Sequence, residues 1–170
     1  YIWKAVSNND IIVYGAIARQ LKDNLHYGFA PKLAYRDLAR NSGWAFGADL
    51  GVLWEPASKL RLAANLRNFF TTQVLWEDGE NESVAPSLDV EAGWGVAPLF
   101  SIPMHLAIRS EMYAEGRAGT IEAGDLSADI HTGIALQPLT PLKVLLGYDI
   151  DAFTAGLAIS HKKLGLNYAF

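Results

Sequence analysis

Apolar and polar residues alternate along most of this chain with a period of two residues. In segment 43–56, Trp44, Leu50 and Trp54 share one face, while Asp49 lies on the other. Successive side chains of a β-strand point to opposite faces, so this period predicts strands and not helices. The same pattern identifies ten strand segments: 10–21, 25–36, 43–56, 60–67, 88–96, 104–112, 126–136, 142–150, 153–159 and 164–170. Only in segment 10–21 is the apolar face ambiguous.

The lengths of these segments and of their connections indicate how the strands are arranged. Most segments are close to the 9–11 residues of a membrane-spanning strand, and longer than the five or six typical of soluble sheets. Short or Pro-rich turns alternate with longer polar loops, the longest being 77–83 and 114–124. This alternation predicts an all-β, antiparallel up-and-down transmembrane β-barrel with about ten strands. Pro31, in the middle of segment 25–36, predicts a bulge or an exposed edge at that point.

Composition narrows the possible function classes. The chain has 170 residues, 51% of them hydrophobic and 19% charged, and its formal net charge is −4. Because the basic residues form no cationic patch, we exclude nucleic acid as a partner. The absence of cysteine excludes disulfides, thiolate metal sites and cysteine nucleophiles. The longest segment without a charged residue, 92–108, is interrupted by glycine and proline, so a transmembrane helix is not predicted.

The single apolar face of the strands is compatible with two environments for the protein, water or a membrane. A soluble, lipocalin-like barrel turns this face toward a core or an apolar ligand, whereas a membrane barrel turns it toward lipid. Trp44 and Trp54 lie on the same face, separated by roughly 25 Å along the membrane normal at the usual strand rise and tilt. We interpret them as girdle aromatics and favour the membrane barrel. The opposite face mixes glycine and alanine with charges of both signs, and its predicted lumen-facing residues are Lys32, Asp49, Arg61, Arg67, Glu91, Arg109, Glu111, Asp129 and His131.

Candidate catalytic residues are few. Asp89 and Glu91 lie two residues apart on one strand face, and Arg109 and Glu111 do the same on a neighbouring strand. An acid–base pair is one interpretation. We favour the other, a structural ladder of ion pairs across adjacent strands. The histidines have no paired metal-ligand spacing, and no serine lies in a nucleophile motif. We therefore predict no enzymatic activity, no metal and no cofactor.

Two runs of residues also carry a resemblance. The run FGADLGVLWEPASKLRLAANLRNF, at 46–69, and the run LKVLLGYDIDAFTAGLAISHKKLGLNYAF, at 142–170, resemble paired strands of the PorV/PorQ family, a branch of the FadL-like outer-membrane barrels. Together they cover about a third of the chain closely. The resemblance implies a barrel of about fourteen strands. It also implies either a component of type IX secretion, which escorts cargo domains at the outer membrane, or an importer of hydrophobic small molecules.

These observations and the resemblance predict a protein of the bacterial outer membrane. Its partners would be outer-membrane lipid or lipopolysaccharide, together with proteins that contact the extracellular loops. We expect one β-barrel domain over 1–170 that lacks strands at both ends, because counting strands from the short periplasmic turns leaves residue 170 on the outer side. The complete barrel would have twelve to fourteen strands. On the barrel exterior we expect the side chains of Leu50, Val52, Leu62, Val90 and Ile108.

Overall fold

The computed structural model describes residues 8–38, 41–70, 72–162 and 164–169. These residues form fourteen β-strands of one antiparallel sheet, and no helix occurs among them. The strands are β1 (Asn8–Tyr14), β2 (Ile17–Lys22), β3 (Leu25–Leu38), β4 (Asn41–Ala57), β5 (Leu60–Arg67), β6 (Thr72–Trp76), β7 (Asn81–Val84), β8 (Ser87–Leu99), β9 (Ile102–Tyr113), β10 (Ile121–Ala123), β11 (Leu126–Leu139), β12 (Leu142–Asp149), β13 (Ala152–His161) and β14 (Leu164–Ala169).

The predicted all-β, antiparallel class is confirmed. Segment 43–56 lies within β4, and segment 126–136 lies within β11. Two details differ from the prediction. Segment 10–21 is divided into β1 and β2, and the short strands β6, β7 and β10 lie outside the ten predicted segments. Over the described residues the sheet is not closed as a barrel.

The strands belong to two compact units. The first comprises Tyr1–Val52 and Asn65–Leu88, and the second comprises Leu53–Ala64 and Asp89–Phe170. In the first unit, β1 and β2 both pair with β3, and β6 pairs with β4 and with β7. The predicted loop 77–83 is therefore partly a hairpin. In its turn, Gly79 has φ +87°, and the Glu80 amide donates a hydrogen bond to Oδ1 of Asp78. Glycine adopts this φ without strain.

Pro31 lies opposite the break between β1 and β2. Tyr14 pairs with Lys32 on one side of the break, and Ile17 pairs with Phe29 on the other. Both pairs have the same register, so no extra residue is inserted at Pro31 on the side of β3 that pairs with β1 and β2. Proline has no amide hydrogen to donate to the ladder, and the ladder is interrupted at this point instead. The Pro31 carbonyl still accepts a hydrogen bond from the Gly15 amide at 3.1 Å.

The second unit is an up-and-down meander. Strands β8, β9, β11, β12, β13 and β14 are successive neighbours, and the pairings from β9 onward are antiparallel. The turn between β8 and β9 has positive φ at both of its residues, 48° at Phe100 and 67° at Ser101. This is the backbone of a type I′ hairpin turn, whose twist matches that of the flanking strands.

Register places apolar side chains in rows that cross these strands. Ile108 lies opposite Thr132, which lies opposite Tyr148, which in turn lies opposite Phe153. A parallel row begins with Leu106 and continues through Ile134 and Leu146. Because alternate residues of a strand point to opposite faces, these rows form one continuous apolar face.

Among the described residues of this sheet, more polar than hydrophobic side chains are buried. Ala48 and Val74 are the buried hydrophobic residues among those described. The apolar face is exposed, and Ile108 on β9 retains 47% of its accessible surface. Asp129 on the neighbouring strand β11 retains 3%. The buried polar residues are Ser42, Thr72, Ser87, Asp89, Ser127 and Asp129. The distribution is the reverse of that in a soluble domain, where charged residues are almost never fully buried unless paired.

Candidate functional site

Charged side chains on the polar face of the second unit form a connected ladder. Arg109 on β9 lies 3.5 Å from Asp89 on β8 and pairs with Glu111, two residues along its own strand. His131 on β11 lies directly opposite both Arg109 and Asp149. Its Nδ1 is 2.5 Å from Oδ1 of Asp149, and its Nε2 is 3.9 Å from Oε1 of Glu111. We call these five residues the charged ladder.

Exposure differs along the charged ladder. The side chains of Asp89 and Glu111 are 11% and 16% exposed, and that of Arg109 is 36% exposed, whereas Asp149 at the edge is 53% exposed. The ladder contains three carboxylates, one guanidinium and one imidazole, so its acidic groups outnumber its basic groups. The Tyr113 hydroxyl compensates in part by donating a hydrogen bond of 2.5 Å to Oε2 of Glu111. Each carboxylate has a basic side chain beside it, which favours a structural network of polar pairs over an acid–base pair.

The ladder agrees only in part with the predicted residues. Arg109, Glu111 and His131 are brought together as the polar-face pattern suggests. The carboxylate on β8 that contacts Arg109 is Asp89, whereas Glu91 is exposed and lies outside the ladder. Both carboxylates have the same alternation, so the sequence pattern alone did not distinguish between them.

Asp129 organises the connection between β9 and β11. Its carboxylate pairs with Arg117, and its Oδ1 accepts a hydrogen bond from the Thr120 amide at 3.2 Å. The Arg117 guanidinium also lies over the Tyr113 ring, 3.5 Å from the ring centroid. The predicted loop 114–124 is therefore fastened to the sheet, and its residues 121–123 form β10. Sequence reasoning missed Arg117 because residues 114–120 lie outside any strand pattern.

In the first unit the polar face is built around Asp49. Its Oδ1 accepts hydrogen bonds from the Lys32 ammonium at 2.8 Å and from the Asn68 amide at 2.9 Å. Asn68 has φ +51°, a conformation that asparagine adopts more readily than most residues, and its side chain accepts a bond from the Thr72 hydroxyl at 2.7 Å. Asp49 thus fixes the chain where β5 ends. The sequence predicted Lys32 and Asp49 but missed the roles of Asn68 and Thr72.

The remaining predicted residues are more peripheral. Arg61 has a side chain that is 74% exposed, and its Nε lies 2.8 Å from Glu55. Arg67 is half-buried. Arg61 and Glu91 also line a pocket of about 520 Å³ in the second unit, together with Lys59, His105 and Lys143.

The residues predicted for the exterior are mostly exposed. Trp44 and Trp54, the predicted girdle aromatics, retain 48% and 44% of their accessible surface. Trp44 also contacts the Tyr35 ring at a centroid distance of 5.1 Å. The exposed aliphatic residues are Leu50, Val52, Val90 and Ile108. Leu62 differs from the prediction, because it is half-buried.

The described residues show neither a metal site nor a membrane-spanning helix. Within the described ranges, no group of three or more histidine, aspartate or glutamate side chains is arranged to hold a metal ion. The same ranges contain no helix with the length and apolar character needed to cross a membrane. No known protein family matches this chain, and no curated protein is significantly similar to it.

Proposed function

We propose that this chain belongs to an outer-membrane β-sheet protein whose apolar face contacts lipid and whose polar face lines an interior. The observation that carries the proposal is that apolar side chains are exposed while a charged one is buried. The row of Ile108, Tyr148 and Phe153 is exposed, and Asp129 is buried. Long strands, exposed girdle tryptophans and an interior ladder of paired charges support the same proposal.

The magnitude of the exposed apolar surface argues against water as the solvent of this face. Burying one large apolar side chain contributes about 1.5–3 kcal/mol. Half-exposed side chains on the described strands β8 to β13 include Trp94, Ile108, Leu146 and Leu157. Half a dozen such side chains in water would forgo about 5–9 kcal/mol. That loss is comparable with the whole stability of a domain, about 5–15 kcal/mol. The alternative of a soluble, lipocalin-like barrel needs this face to be packed inside.

Depth-dependent quenching by brominated lipids tests the proposal. The experiment uses single-tryptophan versions of the full chain in vesicles, retaining Trp44 or Trp54, with Leu50→Trp in a tryptophan-free background as the matched comparison. We expect Trp44 and Trp54 to be quenched most by bromine near the headgroups, and the tryptophan introduced at position 50 to be quenched most by bromine deep in the chains. Equal fluorescence in brominated and ordinary lipid at all three positions would refute contact with lipid.

Within this setting we propose a non-enzymatic role like that of the PorV/PorQ family, in protein secretion or cell-surface assembly. Two hairpins formed by the long connections support contact with a protein partner. In the first unit, the β6–β7 hairpin exposes Leu75 and Val84, and in the second unit the β10–β11 hairpin exposes Ile121 and Leu126. Exposed apolar residues on ordered hairpins are typical of contact with another polypeptide.

Site-specific photo-crosslinking in native membranes tests for this partner. A photoreactive residue at Val84 and one at Ile121 should each capture a polypeptide, while one at Phe100, in a short turn, should not. Capture of no polypeptide at either hairpin would favour passage of hydrophobic small molecules instead.

A further inference from the structure

Basic side chains gather at the short-turn end of the polar face in the second unit. The pocket of about 520 Å³ at this place is lined by Lys59, Arg61, His105, Gln137 and Lys143, which come from one turn and four strands. Register explains the convergence. His105 lies opposite Ala135, and Ala135 lies opposite Leu145. Gln137 and Lys143 lie two residues further along β11 and β12, where the register between these strands shifts between Leu136 and Leu139.

Small residues make room for this pocket. Gly93, Ala63, Ala107 and Ala135 contribute to its lining. Gly95, whose amide donates to the Lys59 carbonyl at 2.8 Å, lies beside it. A Cβ added at Gly95 would lie 3.6 Å from the His105 ring and 3.7 Å from Cβ of Lys59. A larger side chain at this position would therefore occupy the space between these two residues.

The charges of the lining do not balance. The lining contains the basic side chains of Lys59, Arg61 and Lys143 and the acidic side chain of Glu91, so these four groups carry an excess of two positive charges. Arg61 also pairs with Glu55 just outside the lining. Among the described residues, no hydrogen-bond or ion-pair partner lies at the side-chain ammonium group of Lys59 or of Lys143. This excess is notable in a chain whose formal net charge is −4.

We propose that this pocket binds the phosphate group of a small phosphate monoester. Two ammonium groups, a guanidinium and the amide of Gln137 supply donors for a doubly charged anion, which forms charge-assisted hydrogen bonds with them. Leu53 in the lining provides an apolar wall for the ester group. The inference goes beyond the proposed function, because the second unit forms the whole pocket whatever covers the apolar face.

Calorimetric titration of the full chain in detergent with phenyl phosphate tests this site. Lys59→Gln and Lys143→Gln should each weaken binding about tenfold, because each removes a charge-assisted hydrogen bond to the phosphate. Glu91→Gln should tighten binding several-fold, because it removes the opposing charge. Lys22→Gln is the matched control, since it changes the net charge equally on an exposed residue of the first unit and should leave the affinity unchanged.

Two further measurements sharpen the test. Gly95→Leu should abolish binding by filling the pocket, and the gain expected from Glu91→Gln gives a result even if the Gly95 variant does not fold. Tighter binding of a lysophosphatidic acid than of phenyl phosphate would assign the site to a lipid headgroup, and equal affinity would assign it to a soluble ester. The proposal is overturned if phenyl phosphate does not bind, or if Lys22→Gln weakens binding as much as Lys143→Gln does.

Discussion

Replacing Arg109 by methionine should destabilise the protein much more than replacing Arg61 in the same way. Arg109 is the guanidinium in the charged ladder, and it contacts both Asp89 and Glu111. Methionine keeps the length and apolar body of the side chain but removes its charge. Arg61 offers the matched control, because it also lies on the polar face and pairs with one carboxylate, but it is far more exposed.

The expected magnitude follows from burial. Removing one partner of a buried ion pair costs about 3–5 kcal/mol, because it leaves an uncompensated charge. Water reaches Arg109 in part, which lowers the expected cost to about 2–4 kcal/mol. The Arg61 pair is on the exposed surface, where such pairs contribute at most about 1 kcal/mol. The two variants should therefore differ by at least about 1 kcal/mol in the free energy of unfolding.

Urea unfolding in lipid vesicles, followed by tryptophan fluorescence, measures this difference through the midpoint and slope of the transition. Adding Glu111→Gln to Arg109→Met should recover part of the lost stability, because it removes one of the two carboxylate charges that Arg109 contacts. Equal unfolding free energies for Arg109→Met and Arg61→Met would refute the argument that the buried carboxylates depend on Arg109.

Three further predictions concern the lipid face, the packing around Asp49 and the connection after β9. Leu50→Arg should lower the stability in vesicles by about 2–4 kcal/mol, as measured by urea unfolding, because a cation near the middle of the apolar band is poorly solvated; no loss of stability would contradict a lipid-facing position. Gly47→Val should cost about 1–3 kcal/mol in the same assay, since its Cβ would overlap the Thr72 hydroxyl and approach Cε of Lys32 to 2.9 Å; full stability would contradict the close packing. Arg117→Met should accelerate hydrogen exchange at the Thr120 amide and also lower the urea midpoint, because Arg117 fastens the connection to the sheet and is the cation beside the buried carboxylate of Asp129; unchanged exchange would show that the ion pair does not fasten it.

The site could be predicted from the sequence as a set of residue types but not as a set of contacts. Alternation put Arg109, Glu111 and His131 on one face, because that assignment depends only on residue parity along each strand. It did not select Asp89 over Glu91 as the partner of Arg109, since both have the same parity. Which residue lies beside another depends on the register between strands, and register is fixed by pairing between distant parts of the chain.

The same distinction applies to the fold. The sequence by itself determined ten strand segments and the division into an apolar and a polar face, because the two-residue period is a local property of extended backbone. The alternation of short and long connections indicated the antiparallel class. Only the tertiary structure decided that β6 and β7 form a hairpin, that the strand over 10–21 is interrupted opposite Pro31, and that Asp129 is buried while Ile108 is exposed. Burial depends on which face neighbouring strands and connections cover, and those neighbours come from residues far apart in the sequence.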